Sequence, residues 1–425
     1  MAEAPAPAVV DAVPSYDAFL REFLLANRPV LLPPALVEHW PAFARWTAGG
    51  SVNWDALCAD YGDHEAPVVV GGERTTMRVA DAVRLIQSGE RGPVYIKDWH
   101  LVRSARSDAG SARPHDPLAR RLPYTTPRLF ADDCRCERRI RELTPGMNNV
   151  TPSERGPRPF SPDNWLATHA EPYDPDDFRF CYAGSAGSST PLHRDVYTSY
   201  SWSTNIAGRK RWRLFPPHAA PWLRRFPAVR TSEVAASTTD MDARLAAGRL
   251  GHVRDDRDGW PMWEEVRKHM HTLEQGPGQT IFVPSNWYHE VENLTDCVSL
   301  NHNWCNSVNL LSMYDAMEQE TDDVAEALSD VRAMLQETDE AWRTEFTRTV
   351  QFVVEQDSGW AWDGFWRMVQ RNLVHASCTP DLHPPDAFIH ERVRALHARF
   401  TQRPEYPSLD AGVAQAAAAC AHQAD

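Results

Sequence analysis

His193 and Asp195 stand one residue apart in PLHRDVYTSYSWSTNIAGRKRWRLFPP, residues 191–217, where the chain passes into alternating aromatic and polar positions. Residues two apart on a strand project to one face, so this imidazole and carboxylate can grip one cation. A third donor, His289, arrives in VPSNWYHEV. Two histidines and one carboxylate on one face of an octahedron leave three positions for other ligands, an arrangement suited to ferrous iron in oxygen chemistry. The triplet alone carries little weight, because a chain with 17 histidines and abundant aspartate makes such a spacing by composition. A competing pair, His169 and Glu171 in ATHAEPYDPDD, sits in an acidic, proline-containing stretch with no strand to hold its geometry. The expected ligand set is therefore His193, Asp195 and His289.

Thr190 lies on the approach to this pair and Lys210 just past the turn at Gly208. A hydroxyl and an ammonium there can hold one carboxylate of a small diacid whose other end chelates the metal. The plainer alternatives are a turn-closing hydroxyl and an exposed turn lysine. In LNHNW, Asn301 or Asn303 is expected to hydrogen bond near the cofactor, or else to make a structural amide bond, while His302 alternates to the opposite face.

The elements that must position these groups are strands. SYDAFLREFLLANRPVLLPPAL has a serine cap and helical spacing of Phe19, Phe23 and Leu24, then a short apolar strand. APVVVGG and PVYIKDW read as strands flanking an amphipathic helix, RVADAVRLIQSGE, closed by Gly89. From Phe178 strands dominate: Tyr200, Trp202, Thr204 and Ile206 alternate, Gly208 turns the chain, and KRWRLFPP returns as the second arm of a hairpin. ASTTDMDARLAAGRL is helix-prone; QTIFVPS and CVSLNHNW are further strands joined through NWYHEVENLTD. Beyond them the pattern is helical, with Trp360, Trp362, Phe365, Trp366 and Met368 marking a packed helical surface.

The expected divisions are a flexible leader over 1–14, helix and strand elements over 15–100 packing on the core, a mobile insertion over 101–161, a β core over 162–309 and a helical region over 310–425. The insertion is rich in Arg, Ser, Pro and Asp with little periodicity. The class is mainly β, with α/β additions before the core and helices after it.

Of the 425 residues, 44 are basic and 58 acidic, a formal charge of −14 that disfavours nucleic acid and anionic membrane as partners. The eight cysteines are scattered, and the CRC of Cys134 and Cys136 lacks zinc-site spacing, so free thiols in a reducing cytosolic or nuclear compartment are expected. No stretch reads as a signal sequence or membrane span.

Taken together, TPLHRD, GRKRWRLFPP and VPSNWYHEVENL followed by NHNW resemble the jumonji C (JmjC) family of ferrous, 2-oxoglutarate-dependent oxygenases; NRPVLL and KDWHL extend the likeness over most of residues 15–320. The resemblance implies a double-stranded β-helix (jelly-roll, cupin-like) core, iron on His193, Asp195 and His289, and the distal carboxylate of 2-oxoglutarate on Thr190 and Lys210, with O2 as oxidant. Ser203 stands where relatives often place an asparagine, which makes it a cofactor-contact candidate. The tyrosine that some relatives supply from an upstream helix has no counterpart in RVADAVRLIQ. The implied activity is hydroxylation of a lysine in a protein substrate, in a branch that acts on a translation release factor. The rivals are a transfer RNA base or a histone methyl-lysine as substrate, or a noncatalytic cupin-like binding module.

Overall fold

The computed structural model describes residues 5–102, 104, 123–133, 178–225, 234–250, 259–338, 340–374 and 382–424. The chain divides into two compact units: Met1–Thr125, Asp177–Val196 and Tyr200–Asn303 form one, and Thr126–Asp176, Tyr197–Ser199 and Trp304–Asp425 the other.

In the first unit the chain enters through β1 (Ala8–Val9), β2 (Val30–Leu32), a small hairpin of β3 (Thr47–Ala48) and β4 (Ser51–Val52), then β5 (Glu65–Val70), β6 (Glu73–Arg78) and β7 (Val94–Trp99). The core follows as β8 (Arg179–Gly184), β9 (Ser189–His193), β10 (Tyr200–Ala207), β11 (Lys210–Phe215), β12 (His271–Gln275), β13 (Thr280–Val283), β14 (Tyr288–Asn293) and β15 (Cys297–Trp304). They build a nine-stranded sheet in the order β1-β2-β13-β10-β15-β8-β7-β5-β6 and a four-stranded sheet in the order β12-β11-β14-β9. Core strands pass repeatedly from one sheet to the other, which makes the core a double-stranded β-helix.

This topology corrects three expectations. β10 and β11 are not a hairpin: Gly208, at φ +84°, turns the chain tightly against the Asp296 carbonyl, and the two strands then enter different sheets. The stretch joining QTIFVPS to CVSLNHNW is itself strand β14, whose alternation is masked because both of its faces are largely buried. The leader is not wholly flexible, since Ala8 and Val9 pair in parallel with Val30 and Leu31 and cover that edge of the large sheet. On the far edge, β5, β6 and β7 extend the same sheet, so these amino-terminal elements continue the core.

Other local readings match the structure. Ser15 accepts a bond from the Ala18 amide at the start of the Tyr16–Phe19 turn. Gly89 ends the Val79–Ser88 helix in the left-handed region at φ +67°.

Between the two sheets lies an apolar layer of Leu31, Trp212, Leu214, Ile281, Val283, Trp287 and Val291. Each such fully buried side chain contributes roughly 1.5–3 kcal/mol. The outer side of the four-stranded sheet is covered by a second cluster that includes Leu192, Phe215, Met241, Trp263 and Tyr288, partly supplied by the helix Thr238–Ala246.

Of the stretch 101–161, expected to be mobile, Leu101, Val102, Tyr124, Leu129 and Phe130 are buried. Aromatic contacts anchor it: Tyr124 packs on Trp40 at 5.3 Å and bonds to the His302 ring at 2.7 Å. The rest of that stretch, except Ser104, Pro123 and the remaining residues of 125–133, lies outside the described residues, as do Cys136, His169, Glu171 and residues 162–177 of the expected core.

The second unit carries the helices Leu310–Ala327, Ser329–Thr338, Trp342–Ser358, Trp362–Val374, Asp386–Phe400 and Ala411–Gln423. Its aromatic cluster is core: Trp362, Phe365, Trp366 and Met368 are fully buried, and Trp366 packs on Phe400 at 5.1 Å.

Candidate metal centre

The three ligand candidates converge. His193 closes β9 and His289 lies near the start of β14, and they are direct partners in the antiparallel register of those strands. Their ring centres are 4.3 Å apart. One donor atom each from His193, Asp195 and His289 falls within 4.8 Å of the others, a spacing that one cation bridges. The register shifts between His289 and Val291, a bulge of the kind that re-aims a side chain.

Each imidazole commits the same nitrogen to the backbone. His193 Nδ1 meets the Pro191 carbonyl at 2.8 Å and His289 Nδ1 the Trp287 carbonyl at 3.1 Å. A ring that donates from Nδ1 keeps its lone pair on Nε2, so both histidines offer Nε2 to a metal. The Ser201 hydroxyl donates to Asp195 Oδ2 at 2.7 Å, which orients the carboxylate and leaves Oδ1 for a cation. Burial, and after it His289, push the His193 imidazole down to about 4, so it is a neutral ligand at neutral pH. Donor chemistry, tautomer and protonation all fit a divalent metal.

Along β14, alternate residues read out three rows of the sheet. His289 pairs with His193 and Leu214, Val291 with Thr190 and Trp212, and Asn293 with Lys210. Successive rows are roughly 7 Å apart, and the flexible lysine stem spans much of one such step. Lys210 is only 2% exposed, and no carboxylate pairs with it among the described residues. The Tyr95 ring lies 6.0 Å from the ammonium, and the Cys297 thiol bonds to the carbonyl of Arg209, next to Lys210 in the chain. Burial raises the Cys297 thiol, so it does not neutralise the ammonium. A buried cation without a counter-charge is costly, and a carboxylate is what this slot lacks.

The remaining candidates are placed by alternation. Ser203 shares the face of β10 with Ser201, which touches Asp195. Its carbonyl accepts from Gln275 at 2.8 Å. His302 packs on Trp202 at 4.1 Å, on the opposite face of β10 from Ser201 and Ser203, so Asn301 and Asn303 turn to the side that Ser203 occupies. Sequence reasoning missed Tyr95. It looked for a tyrosine on the helix RVADAVRLIQ, whereas the strand PVYIKDW, running beside β8, supplies the ring near Lys210. It also missed Ser201, whose only signal was a small polar residue amid the aromatics of SYSWS.

A model of the family described as Cupin-like domain matches residues 16–309. The chain is 32% identical over 333 residues to the 2-oxoglutarate and iron-dependent oxygenase JMJD4 of Homo sapiens, covering 75% of this chain and 66% of that protein. It is 33% identical over 336 residues to the JMJD4 homolog of Drosophila melanogaster, covering 75% of this chain and 69% of that one. It is 30% identical over 329 residues to the arginine-specific demethylase JMJ20 of Arabidopsis thaliana, covering 75% and 61% respectively. The chain thus spans just under two thirds of the length of the human relative.

Proposed function

The chain belongs to the cupin-like JmjC family, and from that premise we propose that it is a ferrous iron- and 2-oxoglutarate-dependent oxygenase that hydroxylates a lysine side chain of a protein, a translation release factor or one like it. The observation that carries the oxygenase reading is the convergence of His193, Asp195 and His289 in a barrel that also buries Lys210, which no carboxylate among the described residues pairs with. Relatives named as iron- and 2-oxoglutarate-dependent oxygenases support it. The lysine and release-factor reading rests on the likeness of the TPLHRD, GRKRWRLFPP and NHNW motifs to that branch of the family.

His193, Asp195 and His289 would hold the iron, which when bound supplies the activation of dioxygen with 2-oxoglutarate as the co-reductant. The protein's own share is positioning and charge. Lys210 and Thr190 hold the distal carboxylate of the diacid, a charge-assisted pair in a site closed to bulk water. Ser201 fixes the Asp195 carboxylate, and the two backbone carbonyls fix the imidazoles. Ser203, Asn301 and Asn303 line the wall beside the cosubstrate.

The test is turnover of 2-oxoglutarate to succinate by the purified protein with iron, stimulated by a lysine-containing peptide that gains one oxygen by mass. A second reading, favoured by the relative named as an arginine-specific demethylase, is removal of a methyl group from a modified side chain. It predicts loss of a methyl and release of formaldehyde. Failure to bind either metal or 2-oxoglutarate would overturn both readings and leave a cupin-like binding module.

A further inference from the structure

His289 is held by Leu214 in an unbroken ladder on one side, while on the other the register with β9 shifts just past its pairing with His193. The turn leading into it, Pro284–Trp287, is gripped by a residue far away in sequence. Asn27 Nδ2 donates to the Ser285 carbonyl at 3.0 Å, and the Trp287 indole Nε1 donates back to the Asn27 carbonyl at 2.9 Å. Asn27 thus holds both sides of the turn, and the Trp287 carbonyl in turn accepts the Nδ1 bond that orients His289.

A second tie crosses the rim. Arg194, between the two ligands of the other strand, donates through Nη1 to Asn286 Oδ1 at 3.2 Å. Asn27 and Asn286 sit in the left-handed region, at φ +48° and +62°. Asparagine tolerates that conformation better than most residues, because its short polar side chain bonds locally. Trp287 is buried within the layer between the sheets, which makes it a rigid strut.

We propose that Asn27, Trp287, Asn286 and Arg194 form a clamp of positioning residues that sets the spacing of His289 against His193 and Asp195 and thereby the affinity for a divalent metal. The proposal rests on the reading of that triad as a metal site. Groups that orient metal ligands through hydrogen bonds are worth about 10–100-fold in metal affinity. The contribution should be graded: Trp287 is buried and Asn27 half-buried, whereas Arg194 is exposed and its bond competes with water.

The metal-free protein is titrated with Co(II), read by the visible absorption of the bound ion, in parallel with thermal melts of each variant without metal. N27D preserves size and tolerance of the left-handed backbone but sets an acceptor against the Ser285 carbonyl; it should weaken Co(II) binding about 10-fold and shift the absorption bands. N27G keeps the backbone conformation and the bond from Trp287, so it should fall between N27D and wild type. R194A should cost roughly threefold, in line with an exposed hydrogen bond. A merely structural role would lower the melting temperature and leave the affinity and spectrum of the folded protein unchanged. N27D and W287F binding Co(II) within twofold of wild type, with unaltered bands, would overturn the clamp. Should N27D fail to fold, N286G and R194A decide by the same two readouts. Wild-type protein that binds no more Co(II) than H289A refutes the metal site itself, a result separable from failure of the clamp.

Discussion

The two faces of the four-stranded sheet handle charge in opposite ways. On the outer face, Arg211 reaches Glu274 and Glu292 at 3.5 and 3.4 Å, and Arg213 reaches Glu290 and Glu292 at 3.5 and 3.2 Å. On the inner face of the same strands stand His193, Thr190, His289 and Lys210, with an ammonium that no described carboxylate neutralises. Alternate residues of KRWRLF therefore serve two purposes: the arginines complete a network and the lysine awaits an anion. Where a fold leaves buried charge unanswered within itself, the answer is expected from a ligand.

The comparison breaks most sharply at the triad. His193→Ala and Asp195→Ala should abolish Co(II) or Mn(II) binding and lower 2-oxoglutarate turnover by more than about 100-fold, since each removes a ligand outright; full activity in either variant would remove that residue from the site. Next in size is Lys210→Met. It should weaken binding of 2-oxoglutarate, or of its oxalylglycine mimic, by roughly 10–100-fold in calorimetry, as expected for loss of a hydrogen bond to a charged group. It should also raise the melting temperature of the ligand-free protein, because it removes a buried charge that no described carboxylate neutralises.

Arg213→Ala tests the outer face. The Arg213 side chain is 14% exposed and Glu290 6%, and Glu290 also accepts bonds from the Thr238 amide and hydroxyl. Removing the arginine should destabilise the fold by about 1–3 kcal/mol in urea melts, since it leaves a buried carboxylate short of a partner. Affinity for 2-oxoglutarate should stay unchanged. Arg211→Ala, on the more exposed half, should cost about 1 kcal/mol or less.

The inner face is also tested by the pH response of the metal-free protein. His193 is depressed in the fold from 6.5 to about 4, so the unfolded chain binds more protons between those values. Stability is then full above about 6.5 and declines as the pH falls toward 4. His193→Gln should flatten that part of the melting profile, and an unaltered slope would show that His193 does not carry it.

Much of this was legible in the chain because strands announce themselves by alternation. The H-x-D spacing, His289 and the LNHNW strand all have the right neighbours within a few residues. What stayed hidden depends on pairing between distant segments. Tyr95 comes near Lys210 only because β7 lies next to β8, and Asn27 grips the turn before His289 across 260 positions. The sheet crossing after β10 was hidden for the same reason: a tight glycine turn looks the same whether the next strand pairs with the last or leaves for another sheet. β14 looks like a connection in the sequence because charged and apolar residues are buried together on it, which erases the period of two.

The Cys297 sulfur, beside the turn at Gly208, has a bearing on wear. The proposed chemistry would form peroxide whenever turnover misfires, and oxidation of cysteine proceeds through the thiolate. Cys297 is buried, and that burial holds it in the protonated form. Oxidant released inside the fold would meet this sulfur in its least oxidisable state.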